Sequence, residues 1–271
     1  MIYPIAYRKW PLSDRDVLTP ERHRAILRLL AERGGLSLPE IASRWSISAA
    51  TVRRDATFLA NAGLARRTHG GILPPDFSFS EPSYSHKAKK SSDVKAQLAQ
   101  AAAARLPDTG TLFIDAGSTC LEVGRALLDR PKLRLFTNSV PLLALAGDAR
   151  ATLTAIGGEV RGVSLAMTGA FAVSWMESLR FDVAVVGASG LEAAGGASTT
   201  EIAEAGVKTE ALRRARQRML IADADKWNRP AGVRFSPWSA FHHFITNRNL
   251  TRAERALLVS AGVSITTVST K

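Results

Sequence analysis

The chain has 271 residues, 46% of them hydrophobic, enough for two domains with buried cores. Its formal net charge of +12 and pI near 10.5 point to polyanionic partners, and charge alone fits DNA, RNA or an anionic membrane surface. A single cysteine, Cys120, excludes an internal disulfide framework and fits a reducing cytoplasm; it is expected to be a small semi-buried residue rather than a catalytic thiol.

No apolar run approaches the ~20 residues needed to span a bilayer, so no membrane partner is expected. Residues 1–95 carry sixteen Lys/Arg against nine Asp/Glu, whereas the remaining 176 carry twenty against fifteen. Positive charge is therefore densest toward the N-terminus.

Residues 1–18 lack the long apolar stretch and cleavage site of a signal peptide and read as a poorly ordered extension. Thr19-Pro20-Glu21 is a helix start, with Ile26, Leu29 and Leu30 as its apolar stripe and Gly34-Gly35 as its end. Ser37-Leu38-Pro39-Glu40 starts a second short helix carrying Ile41 and Ala42, and Trp45-Ser46-Ile47 forms a turn. Ser48 then caps a third helix whose Val52, Ala56 and Leu59 recur at helical spacing and pack inward. Ala50, Arg54 and Thr57 project opposite that face, with Arg53 on its flank. Small residues allow close approach to a groove, and arginine donates bidentately to guanine or phosphate.

Gly63 suits a left-handed C′ position. Leu64 to His69, with Arg66 and Arg67, leads into Gly70-Gly71 as a short basic hairpin would, and Pro74-Pro75 ends it. Helix, short helix, turn, arginine-bearing helix and hairpin together describe a winged helix-turn-helix over residues 19–73. Residues 74–93, rich in serine and containing Lys87, Lys89 and Lys90, read as a linker whose lysines are solvated or touch a phosphate backbone.

From residue 94 to 271 strand and helix signals alternate. A helix over 94–106 precedes a strand at 111–114, the loop Asp115 to Thr119, and a helix through Leu128. A strand at 133–136 runs into Thr137-Asn138-Ser139 and a helix through Ala146. Strands follow at 151–156, 181–186, 219–221 and 243–246, with a helix over 201–216; a helix near 251–261 and a strand near 263–268 close the chain. That alternation implies a mostly parallel, Rossmann-like α/β sheet covered on both faces. Ligands collect beyond the carboxyl ends of such strands, where Asp115 to Thr119, Thr137 to Ser139, Gly157-Gly158 and Gly187 to Gly190 all fall. Thr119-Cys120-Leu121-Glu122 also fits a capping box, so Thr119 has a structural alternative. Lys208 and Lys226 are candidate cations for an anionic ligand. No metal or cofactor motif is present, and no catalytic residue is assigned.

Two groups of motifs resemble the DeoR family of bacterial transcriptional regulators. The first is Thr51-Val52-Arg53-Arg54-Asp55, Gly63-Leu64, Arg67 and His69-Gly70-Gly71. The second runs from Asp115–Thr119 and Thr137–Ser139 through Gly157-Gly158, Gly169 and Glu204–Lys208 to Asp223 and Lys226. The resemblance spans about 19–246. It implies an N-terminal winged helix-turn-helix joined to an α/β sensor domain related in fold to ribose-5-phosphate isomerase. It also implies a homo-oligomeric repressor of a carbohydrate operon, released from double-stranded operator DNA by a phosphorylated sugar or related metabolite.

Carried over, Ser48, Ala50, Thr51, Arg53, Arg54, Thr57, Arg67 and His69 would face DNA. Asp115, Gly117, Ser118, Thr119, Thr137, Asn138, Ser139, Gly157, Ser189, Lys208 and Lys226 would hold the effector. Where family members commonly have aspartate, this chain has Ser189, which implies a different effector or a weaker grip on sugar hydroxyls. Two other readings compete: a sugar-phosphate isomerase with a fused DNA-binding module, using Asp115, Glu204 or Asp223 as base, and an architectural DNA-binding protein without a sensor.

Overall fold

The computed structural model describes residues 18–33, 36–67, 70–73 and 83–269. The expected N-terminal extension, His69 and the Pro74-Pro75 stop lie outside them. The chain divides into two compact units at residue 78.

The first unit contains α1 (Leu18–Arg33), β1 (Leu36–Ser37), α2 (Leu38–Trp45), α3 (Ala49–Asn61), β2 (Arg66–Arg67) and β3 (Gly71–Leu73). The three strands form an antiparallel sheet in the order β1-β3-β2. This is the winged helix-turn-helix expected from the sequence. Helix α1 begins at Leu18, so Thr19 and Pro20 lie inside its first turn instead of capping it. Ser37 and Ser48 cap α2 and α3 as expected, accepting from the amides of Glu40 and Thr51 at 3.2 Å each. Ile26, Leu29 and Leu30 of α1, Ile41 of α2, Val52, Ala56 and Leu59 of α3, and Ile72 of β3 form one core. Gly71 is required there: a Cβ would strike the Leu36 carbonyl across the β1–β3 pair.

The second unit opens with α4 (Tyr84–Lys89) and α5 (Ser92–Ala103), then β4 (Thr109–Ile114), α6 (Ser118–Leu127), β5 (Lys132–Thr137), α7 (Val140–Leu143) and β6 (Thr152–Ala155). A hairpin of β7 (Glu159–Arg161) and β8 (Ala166–Thr168) leads to α8 (Ala170–Met176) and β9 (Phe181–Gly187). Next come β10 (Gly190–Glu192), β11 (Gly196–Thr199), α9 (Ile202–Arg214), β12 (Ala215–Ile221), β13 (Val233–Ser236), β14 (His243–Thr246), α10 (Arg252–Ser260) and β15 (Ser264–Thr267).

Seven strands make a parallel sheet in the order β15-β14-β12-β9-β4-β5-β6. The chain winds outward from β4 through β5 and β6, then returns to the other side of β4 at β9. The switch point of this doubly wound sheet is therefore the β4–β9 pair. Side chains alternate between two cores. Phe113, Ala184 and Val186 join one face, and Leu112, Ile114, Val183 and Val185 join the other. Among the described residues no helix is long and apolar enough to cross a membrane.

Two expectations need correction. Residues 83–93 are not an unstructured linker: they contain α4 and the start of α5, and Tyr84 packs against the core beside α6. The helix expected through Arg216 ends at Arg214, because β12 begins at Ala215 to pair with Phe181.

Candidate functional site

Helix α3 presents an exposed face in the first unit. Ala50, Arg53 and Arg54 are exposed and Thr57 is half-buried, opposite the buried Val52, Ala56 and Leu59. Thr57 Oγ1 donates to the Arg53 carbonyl at 2.7 Å and accepts from the Arg67 guanidinium at 3.1 Å, which ties the wing to the helix. The hydroxyls of Ser48 and Thr51 lie 2.9 Å apart, and Ser48 also takes the Thr51 amide, so this pair serves the start of the helix.

Asp55, the last residue of the arginine-bearing motif, points inward. Its carboxylate accepts from Arg22 at 2.8 and 3.1 Å and from His23 Nε2 at 2.9 Å, locking α3 to α1. His23 in turn stacks on Phe58 at 4.9 Å. The sequence reading gave Asp55 no partner, since its partners lie about thirty residues away.

In the second unit a cavity of about 270 Å³ opens at the carboxyl ends of β4, β5, β9 and β12. At its floor Asp115, which directly follows β4, accepts from Lys208 Nζ and, at 3.0 Å, from the Gly187 amide. Lys208 also donates to the Gly187 carbonyl at 3.3 Å. Burial alone would lower the Lys208 pKa; the charges of Asp115 and Glu204 outweigh it, and the pKa rises. Glu204, one turn earlier on α9, is held by Thr199 and Arg161 at 3.3 Å each.

Gly117 caps α6 and supplies no side-chain partner, so the first turn of that helix faces the cavity at Ser118 and Thr119. The capping-box alternative for Thr119 is overturned, because Thr119 lies inside the helix. The cavity lining is also rich in basic residues: Lys87, Lys90, Lys95, Lys226 and Arg229 contribute to it, with Asp223 and Asp225 among them. Lys90 pairs with Asp225 at 2.6 Å. Lys95 donates to the carbonyls of Lys87 and Lys90, anchoring the end of α4. Burial lowers the Lys95 pKa, and Lys226 and Lys90 add to the effect.

Of the expected effector residues, the fold brings Asp115, Gly117, Ser118, Thr119, Asn138, Ser189, Lys208 and Lys226 to this cavity. Thr137, Ser139 and Gly157 do not line it. Thr137 Oγ1 donates to the Ile114 carbonyl at 2.6 Å and accepts from the Ser139 amide at 3.0 Å, bridging β4 and β5. Ser139 caps α7, accepting from Leu142. Gly157 turns the chain at φ 79° against Phe171. The sequence reading missed Tyr84, Ser164 and the α4–α5 lysines as cavity residues. Lys87, Lys89 and Lys90 were visible only as a charge run.

Cys120 is fully buried, and burial together with Asp115 raises its thiol pKa well above the ordinary value; it packs as a small apolar residue. Among the described residues no group of His, Cys, Asp and Glu is arranged to hold a metal ion.

Residues 22–76 match the model of the DeoR-like helix-turn-helix domain, and residues 90–248 match that of the DeoR C terminal sensor domain. The glycerol-3-phosphate regulon repressor of Escherichia coli is 32% identical over 216 residues, covering 79% of this chain and 84% of that one. The HTH-type transcriptional regulator GlpR of Haloferax volcanii is 30% identical over 249 residues, covering 92% and 98%. The sorbitol operon regulator SorC of Klebsiella pneumoniae superposes with a TM-score of 0.39 at 13% identity, covering 91% of this chain and 100% of that one. Ribose 5 phosphate isomerase A of Neisseria gonorrhoeae gives 0.36 at 16% identity, covering 50% and 53%. The isomerase and architectural readings fall away, and the chain belongs to the DeoR family of DNA-binding transcriptional regulators.

Proposed function

We propose that this regulator is a cytoplasmic homo-oligomeric repressor of a carbohydrate operon, released from its operator by a phosphorylated sugar or polyol. The observation that carries the proposal is the cavity at the β4–β9 switch point. Its buried Asp115–Lys208 pair shares the lining with further lysines and the open first turn of α6. A carboxylate beside a lysine suits hydroxyl groups, and lysines together with a helix start suit a phosphate. Lys208 is committed to Asp115 and Gly187, and Lys90 to Asp225, so Lys226 and Arg229 are the better partners for the phosphate.

Ser189 lines the same cavity and adds no negative charge, which leaves six cationic side chains facing four carboxylates. That balance favours a ligand with a full phosphate dianion. On the DNA side, Ala50, Arg53, Arg54 and Thr57 of α3 enter the major groove, and Arg67 of the wing meets the backbone. A symmetric pair of such units would read a palindrome or repeated half-sites.

Release follows from linkage: a ligand that prefers the conformation with low operator affinity shifts the population toward it. The test is fluorescence anisotropy on labelled DNA from immediately upstream of the protein's own coding region, at fixed salt. Glycerol 3-phosphate, named in the Escherichia coli relative, is the first compound to add, followed by pentose and hexose phosphates. Release by one of them supports the proposal. Tight binding that none of them disturbs rejects the phosphorylated effector.

A further inference from the structure

Three side chains at the cavity carry polar atoms that are buried and have no hydrogen-bond partner among the described residues: Tyr84 OH, Asn138 Oδ1 and Ser164 Oγ. Asn138 is 1% exposed and Ser164 5%. Burying such a group unpaired is costly, and here three of the six unpartnered atoms among the described residues belong to residues that line one cavity.

The unpartnered atom of Asn138 is its Oδ1, which can only accept. Its Nδ2 donates to the Met167 carbonyl at 3.2 Å, and a flipped amide would set two oxygens against each other. A phosphate dianion has no proton to give Asn138 Oδ1. A hydroxyl on the same ligand can satisfy it. Tyr84 and Ser164 can each donate or accept, which suits further hydroxyls on the same ligand.

Local backbone geometry brings Tyr84 and Ser164 together although eighty residues separate them. The Tyr84 amide donates to the Val163 carbonyl at 2.7 Å, joining the start of α4 to the β7–β8 turn. Ser164 sits between that carbonyl and Leu165, which adopts φ 53°, a conformation costly for a branched residue.

We infer that Tyr84, Asn138 and Ser164 form a hydroxyl-reading subsite that makes the pocket select polyol and sugar phosphates over other phosphomonoesters. This rests on the anionic-ligand reading above and adds which side chains enforce the choice. Phosphate binding draws in any phosphomonoester, and the subsite rejects those without hydroxyls because they leave its three atoms unpaired.

The test uses the full-length protein and calorimetric titration with glycerol 3-phosphate, ribose 5-phosphate, inorganic phosphate and propyl phosphate, the last being an ester of comparable charge without hydroxyls. At least one hydroxylated ester should bind about tenfold or more tighter than propyl phosphate. Ser164→Ala and Tyr84→Phe each delete one hydroxyl and should shrink that gap by weakening the hydroxylated ester alone. Equal binding of the esters, or a gap that neither variant changes, overturns the subsite.

Thermal unfolding without ligand gives a second, independent readout. Deleting an unpartnered buried hydroxyl should leave Tm unchanged or raise it, whereas a structural hydroxyl would lower it. A fall of Tm in both variants overturns the subsite. Should neither an ester nor inorganic phosphate bind, the anionic-ligand reading fails and the subsite with it, whereas phosphate binding with no preference for hydroxylated esters overturns the subsite alone.

Discussion

The two units place their charges in opposite ways. In the first, the arginines available to DNA are exposed on α3 and the wing, and the buried carboxylate, Asp55, is tied to Arg22 and His23 away from that face. In the second, the ion pair at the cavity floor is itself buried, with Asp115 and Lys208 each under a tenth exposed. DNA is large and presents its charge on its surface, so an exposed face can meet it and tight packing is needed only behind that face. A small ligand must be surrounded, and the groups at the bottom of its cavity therefore become part of the core. It follows that on the exposed face of the first unit binding and stability can be altered separately, whereas at the buried Asp115–Lys208 pair they cannot.

The largest expected effect tests that last statement. Lys208→Met leaves Asp115 buried without its cation and should cost about 3–5 kcal/mol of sensor-unit stability. Adding Asp115→Asn should recover part of the loss, read as Tm by calorimetry. A Lys208→Met protein with unchanged Tm would show that the pair is not part of the core.

Asp55→Ala should loosen α3 from α1 by about 3 kcal/mol, seen as faster hydrogen exchange of α3 amides together with weaker operator binding. Arg54→Ala should cost about 1–3 kcal/mol of operator binding and relax sequence preference while leaving Tm in place. Undiminished discrimination between operator and random DNA would take Arg54 out of the readout.

The smallest effect concerns Glu254 at the start of α10. Burial pushes its pKa up, but bonds from the Thr251 amide, Arg248 and Trp227 outweigh that and hold it at about 2. Because the folded pKa lies below the unfolded one, the stabilisation is complete above about pH 5 and is lost as pH falls toward 2. Glu254→Gln should cost about 1–2 kcal/mol at neutral pH, and the gap from the parent protein should close across that acid window.

What the sequence showed depended on how local each cause was. Ser48 as a cap and Val52, Ala56 and Leu59 as the inner face follow from the spacing along one helix, and α3 forms as that spacing demands. Asp115 to Thr119 were readable because a strand, a glycine and hydroxyls stand side by side. Tyr84 was hidden because α4 has six residues, too few for a periodicity, in a stretch rich in serine and lysine. Thr137 and Ser139 misled for the opposite reason: hydroxyls at a strand end look ready for a ligand, yet neighbouring backbone groups already use them. Ser164 becomes visible only once the β7–β8 turn meets α4.

The placing of β4 beside β9 also sets an order of events during synthesis. Every described strand and helix of the first unit is encoded by residue 73, whereas β4 meets one of its two neighbours only when β9 has been made, ending at Gly187. At about 5–20 residues per second the ribosome needs on the order of ten seconds to cover that distance. During that interval the nascent chain carries the helix-turn-helix unit and no pocket. A message broken before β9 would leave a fragment with the means to hold an operator and nothing with which to sense when to let go.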